Sequence, residues 1–508
     1  MSTRRSVIWA FAGQFATAAV AFGSSVAIAR LLSPYELGLN AVAVATSGIL
    51  SIVAASGADA LIVREVQLTR QVVAAATTVN AVLSACFAVG LMAISFAAGP
   101  LLGDEKAGEV LRILALVPLV NIVTFRPAAM LQRTMRFKTA SLIALANVIV
   151  ANAVTIAGIL LGFGYRSPAV GTLTACLVSF ALYALSSPAE VKPSFALQGT
   201  RRMALFGFRM VSVTGMGQFV QYFSQILLGR FLGINVLGLY SRAASLANFI
   251  YANLYSTATR VAFAQLSKDY RETGQVRETF LRSFYIIISV MWPLLAGLAI
   301  LSRPVITLLY GERWLSAALP FSLLLVAQMF TLSFGMNWEL FVIRDRLAVQ
   351  TRYEITRSLI GLAIFAFGCT ISMVAATVGR IMDAAIGLVM YFAWMGRLAD
   401  AQPREIVAIY LRSGLLALVA VAPAAALMIA TDWDARVSWL WLSGAITTGI
   451  IGWAVVLALL SHPLLTELRV ISSAALRPLL NRRQRPGVHP SGDIPASDDD
   501  RLPIDERF

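Results

Sequence analysis

The chain has 508 residues, 58% of them hydrophobic and 13% charged, with a formal net charge of +15 and a mean hydropathy of +0.76. That apolar content exceeds what a water-soluble core needs and suits a chain that crosses a bilayer many times, at about 20 apolar residues per crossing. The basic residues sit mainly between apolar runs, which points to membrane topology and away from nucleic acid. The three cysteines lie inside such runs and the two histidines near the C-terminus, so neither a disulfide framework nor a histidine-built metal or catalytic cluster is available, and no cofactor is implied.

The N-terminal "MSTRRS" leads into an apolar run from about Val7 to Ala29 that ends in "AIA". The run is longer than the 7–15 residues of a signal-peptide core, so it reads as a retained first span. About fourteen segments of spanning length follow in order, near 7–30, 37–63, 72–100, 108–131, 139–163, 168–187, 203–230, 237–259, 279–302, 316–343, 353–378, 381–397, 405–430 and 437–461. Backbone groups in lipid must pair within their own segment, so these are helices, and the alternating pattern of a membrane β-barrel is absent. With the N-terminus in the cytoplasm, connections on that side carry about twice as many arginines and lysines as those outside. An even number of spans puts the C-terminus there too. Residues 462–485 place leucines on one face and arginines on the rest, as in an interfacial helix on an anionic leaflet. Residues 486–508 form an acidic tail with too little to bury, expected to be disordered.

Residues 30–39 read "RLLSPYELGL" and residues 230–239 read "RFLGINVLGL", an offset of 200. "VQLTR" (66–70) and "AQLSK" (264–268) follow the second span of each half, and "LLGDE" (101–105) and "LLYGER" (308–313) follow the third. The expected fold is an all-α polytopic membrane protein: a six-helix bundle over 1–187, a cytoplasmic linker over 188–202, a second bundle over 203–397, and two appended helices over 405–461. Six is even, so the bundles form a parallel repeat about an axis along the membrane normal.

The same residues carry a family resemblance. "ARLLSPYELGLNAVAVA" (29–45), "GADALIVREVQLT" (57–69) and "AAMLQRTMRFKTASLI" (128–143) resemble the polysaccharide-type flippases, in the superfamily that holds multidrug extruders and lipid II flippases. The resemblance is specific over about the first 140 residues, and Asp59 departs from it where small or apolar residues are usual. It implies a bacterial inner-membrane protein that moves undecaprenyl-pyrophosphate-linked oligosaccharides, works beside polysaccharide polymerase and export machinery, and uses the extra helix pair as a groove for the polyprenyl tail. It supplies no invariant residue set, so candidate sites come from physical chemistry.

A pyrophosphate-sugar headgroup needs a hydrated cavity with cations and sugar-binding groups, and arginine binds phosphate bidentately without losing its charge. The arginines within or closing spans are Arg242, Arg209, Arg126, Arg30 and Arg230, with snorkelling to lipid headgroups as the competing role. Arg242 stands out because Ser245, Ser256 and Thr259 share its face, whereas Arg412 reads as lipid-facing. Thr214, Gln218, Gln221 and Gln225 fall on one face of the seventh span, as a sugar-facing wall or an interhelical hydrogen-bond seam. Asp59 and Glu339 are candidates for ion coupling, against simple pairing with Arg64 and Arg344, and Asp383 is expected to pair with Arg380. A multidrug or cation extruder is the nearest alternative, disfavoured by the lack of an acidic residue in the first span. A polysaccharide polymerase or ligase is disfavoured by the short outer loops, "LLGDEKAGE" and "TDWDARVSW".

Overall fold

The computed structural model describes the backbone of residues 3–54, 62, 63, 65, 68–191 and 194–467; side chains at 3–12, 53–54, 189, 191 and 202–214 fall outside that description. Among the described residues the fold is helical, with no strand. The first stretch runs α1 (Thr3–Leu31), α2 (Pro34–Ala54), α3 (Arg70–Phe96), a short α4 (Ala98–Leu102), α5 (Lys106–Leu114), α6 (Val117–Arg133), α7 (Phe137–Leu160), α8 (Ser167–Ser186) and a short α9 (Pro188–Val191). The order then recurs as α10 (Thr200–Leu232), α11 (Ile234–Thr273), α12 (Arg277–Ile300), a short α13 (Ser302–Tyr310), α14 (Ala318–Leu332), α15 (Asn337–Ile343), α16 (Leu347–Cys369) and α17 (Met373–Ala399). α18 (Pro403–Ala430) and α19 (Trp439–Leu459) follow.

Eleven helical segments among the described residues are long and apolar enough to cross a membrane. α10, α11 and α16, of 33, 40 and 23 residues, are as long but more polar. Some of their polar residues, Gln221, Gln225, Asn248, Arg357 and Ser358 among them, face the cavity described below and lower their hydropathy. The chain is a multi-pass, all-α membrane protein. Residues 1–454 form one compact unit. The second unit, 455–508, is described only as far as 467; there the Leu464 N–H donates to His462 Nδ1 at 3.0 Å and opens a turn of helix over 463–467. Most of the interfacial segment and the whole acidic tail expected beyond it lie outside the described residues.

The repeated sequence builds equivalent corners. Arg30 lies in the last turn of α1 and Arg230 in that of α10, and α2 and α11 begin at Pro34 and Ile234, again 200 apart. At the first corner Ser33 and Glu36 form a reciprocal cap, the Ser33 N–H donating to Glu36 Oε2 at 2.9 Å and the Glu36 N–H to Ser33 Oγ at 3.3 Å, with Pro34 opening the helix. At the second, Gly233 turns the chain at φ 89°, a conformation that favours glycine. The two copies then pack against each other. A Cβ on Gly238 would run into the Pro34 carbonyl oxygen, and one on Gly38 into that of Ile234, so α2 and α11 meet backbone to backbone. Leu37, Leu39, Leu237 and Leu239 are buried around this contact. A helix approach this close needs small residues at the crossing, as elsewhere in membrane bundles.

Two sequence boundaries are corrected. The turn between the eleventh and twelfth spans was expected near 379–380; it falls at 370–372, where Ser372 Oγ caps α17 by accepting from the Ala375 N–H at 3.1 Å. Arg380, expected in the outer turn, therefore lies two turns into α17, and Arg357 lies midway along α16. α11 runs on to Thr273, so Arg260, Lys268 and Arg271 belong to its last turns, not to a loop.

Candidate functional site

α10, α11, α14, α16 and α17 enclose a cavity of about 340 Å³. Two guanidinium groups reach it and are held differently. Arg357 donates through Nη1 to Asp383 Oδ1 at 2.8 Å and through Nη2 to Glu354 Oε1 at 2.6 Å, and the Tyr391 hydroxyl donates to Glu354 Oε2 at 3.2 Å. The Arg357 and Asp383 side chains are only 17% and 15% exposed. Among the described residues Arg357 crosses from the neighbouring helix and takes the Asp383 carboxylate, so Arg380 keeps a longer-range attraction to Asp383 without the expected direct ion pair. Arg380 instead lies 4.3 Å over the Phe365 ring, a cation–π placement, and no carboxylate among the described residues pairs with it.

Opposite these charges the lining is amide-rich. Gln221 and Gln225 of α10 line the cavity with Asn248 of α11 and Gln328 of α14. Gln328 Nε2 donates to Asn248 Oδ1 at 3.1 Å, while Gln328 Oε1 is buried with no hydrogen-bond partner among the described residues. A guanidinium without a direct ion pair, an ion pair able to exchange partners and an amide with an unused acceptor can together hold a polyhydroxylated, anionic headgroup.

The predicted residues divide around this cavity. Gln221 and Gln225 line it. Gln218, on the same face, is exposed but not part of the lining, and the side chains of Thr214 and Arg209 lie outside the described residues, as does Asp59 altogether. Arg126 pairs with Glu190 of α9 at 2.7 Å. Arg230 is exposed at the end of α10. Arg30 and Arg242 lie where α1 meets the second half, away from the cavity lining. Glu339 is buried in α15, and its Oε2 has no hydrogen-bond partner among the described residues. Arg344, its expected partner, pairs with Asp400 instead. The sequence reading missed Arg357, Arg380 and Gln328 as lining residues. The overlooked signal is "TIS" at 370–372: a serine cap there starts a new helix and puts Arg380 inside it.

The family described as polysaccharide biosynthesis protein matches residues 27–319, more than half the chain. The chain belongs to this family. It is 24% identical over 312 residues to the succinoglycan biosynthesis transport protein ExoT of Rhizobium meliloti (strain 1021), covering 61% of this chain and 63% of that one. It is 26% identical over 276 residues to the teichuronic acid biosynthesis protein TuaB of Bacillus subtilis (strain 168), covering 52% and 55%. The matched region thus spans less than two thirds of either relative's length. Among solved structures, the lipid II flippase MurJ in an inward closed conformation superposes with a TM-score of 0.68 at 16% identity, covering 90% of this chain and 100% of that one. A multidrug resistance transporter of the MATE family, in its inward-facing conformation, gives 0.57 at 15% identity, covering 78% and 95%. These two likenesses establish a shared fold.

Proposed function

We propose that this family member is a flippase that moves undecaprenyl-pyrophosphate-linked oligosaccharide units across the bacterial inner membrane for exopolysaccharide, capsule or O-antigen assembly. The observation that carries the reading is the cavity: a polysaccharide-biosynthesis chain encloses an intramembrane space lined by Arg357, Arg380 and four amides. In this reading Arg380 and Arg357 take the pyrophosphate, and Gln221, Gln225, Asn248 and Gln328 take sugar hydroxyls. No covalent step is needed, so the protein is a transporter and not an enzyme. In alternating access the second six-helix half, which supplies the cavity lining, moves against the first, both termini face the cytoplasm, and Glu339 couples an ion to the cycle. The amide and guanidinium lining favours this over the multidrug alternative, whose cationic cargo would be repelled by Arg380.

The test is a deletion strain. Lipid-linked repeat units should accumulate on the cytoplasmic leaflet and surface polysaccharide should fall, with rescue by the wild-type chain. A deletion strain with normal surface polysaccharide and no accumulated lipid-linked intermediate would rule the reading out.

A further inference from the structure

Four hydrogen bonds tie α1 to the second half at the end of the bundle where α2 and α11 begin. The Trp314 indole N–H donates to the Ala29 carbonyl at 2.8 Å, both residues being fully buried. Arg30 donates through Nε to the Leu309 carbonyl at 2.9 Å and through Nη2 to that of Leu308, covering the last turn of α13. Arg242 Nη1 donates to Ser25 Oγ at 2.5 Å, and its guanidinium lies 5.5 Å from the Tyr310 ring centroid. The Gly38–Gly238 crossing lies at the same end.

The four hydrogen bonds all join residues more than 200 positions apart, one from each copy of the repeat. We infer that Ser25, Arg30, Arg242 and Trp314 form a latch that seals this end of the transport path and parts when the two halves separate. The chemistry suits a closure that must reopen. Both arginines donate to neutral oxygens, so parting leaves no carboxylate stranded in the membrane. Hydrogen bonds of this kind are each modest once water competes for the same groups. Arg242 Nε has no partner among the described residues in the closed arrangement, so opening costs that donor nothing and lets water reach it. The glycine crossing adds contact without interlocking side chains, which lets the helices separate as smooth surfaces. Arg30 and Arg242, cations that invite a headgroup-binding role, act here as ties between the halves. The charge distribution of the loops puts this end outside, which makes the latch the exit seal.

The inference rests on the transport reading for its purpose, but its test needs no substrate. Spin labels go on Leu161 and Ile371, exposed residues in equivalent turns of the two halves, and the distance between them is measured in the full chain in nanodiscs. Trp314→Phe keeps the ring and removes only the donor; Arg242→Gln removes the charge. Trp314→Phe should enlarge a longer-distance population about fivefold, the worth of one neutral hydrogen bond, and Arg242→Gln about tenfold or more, since its donor is charged. Gly238→Ala removes no hydrogen bond but drives a methyl into the Pro34 carbonyl, and should lengthen the same distance. Unchanged distances in Trp314→Phe and in Gly238→Ala would overturn the latch and leave these contacts as static packing. If the latch variants open but the deletion strain shows no glycan defect, the latch stands and the substrate assignment fails.

Discussion

Replacing the Arg357–Asp383 pair separates a structural role from a functional one. The pair is mostly buried, and Arg357 also holds Glu354, whose side chain is 36% exposed. Arg357→Met removes the direct partner of Asp383 and leaves it only the longer-range charge of Arg380, and a buried carboxylate without its partner costs about 3–5 kcal/mol. Asp383→Leu leaves Arg357 with Glu354, so its cost belongs at the lower end, about 3 kcal/mol. The double variant Arg357→Met/Asp383→Leu strands neither of the pair, while Glu354, 36% exposed, keeps water and the Tyr391 hydroxyl, and well-packed apolar replacements of a buried pair are often neutral or stabilising by about 1–4 kcal/mol. Stability should therefore fall in each single variant and recover in the double, a coupling of several kcal/mol where independent sites add within about 0.5 kcal/mol. The assay is the thermal midpoint of purified protein in detergent, run beside surface polysaccharide per unit of protein in cells. The double variant should be stable and accumulate normally, yet export at least tenfold less. A stable double variant that exports like wild type would show that the pair is only scaffolding and that the cavity is not the route.

Arg380→Ala should fold normally, since among the described residues Arg380 rests on the Phe365 ring and makes no direct ion pair, and should lower export at least tenfold; Arg380→Lys should retain part of it because charge survives while the fork is lost. Polysaccharide yield normalised to protein abundance checks both, and full export by Arg380→Ala would remove that residue from the path. Glu339→Gln should leave the protein stable, because the buried Oε2 has no partner to lose, and should abolish any dependence of export on an imposed ion gradient; a mutant that still responds to the gradient excludes Glu339 as the coupling group. Single cysteines at Leu161 and Ser438 should react with an impermeant thiol reagent from outside the cell, and those at Gln132 and Lys268 should not; the reverse pattern would invert the orientation.

Much of this was legible in the sequence because it is written in local patterns. Apolar runs and the 200-residue repeat marked the helices and their order, and the glutamine spacing put Gln221 and Gln225 on one face, which is where they meet the cavity. The misplaced residues depend on long-range partners or on weak local punctuation. Arg242 stood out as a cation in a polar stripe, but its partner Ser25 lies 217 positions away and no spacing rule connects them. The apolar run continues smoothly through Ser372 and so suggests a loop at Arg380, whereas a single serine cap at Ser372 ends one helix and starts the next. Glu339 has a plausible partner five residues on, yet Arg344 reaches across to Asp400, and Glu339 Oε2 has no hydrogen-bond partner among the described residues.

The central claim is that this protein carries a lipid-linked oligosaccharide through the cavity at Arg357 and Arg380. The most direct measurement uses liposomes holding undecaprenyl-pyrophosphate-linked oligosaccharide and the purified full chain, with lectin binding reporting the glycan on the outer leaflet over time after outer-leaflet glycan is first removed. Wild-type protein should restore lectin binding, and the Arg380→Ala and Arg357→Met/Asp383→Leu proteins should restore it at least tenfold more slowly. Restoration by these variants at the wild-type rate, or no restoration by the wild type, would contradict the account.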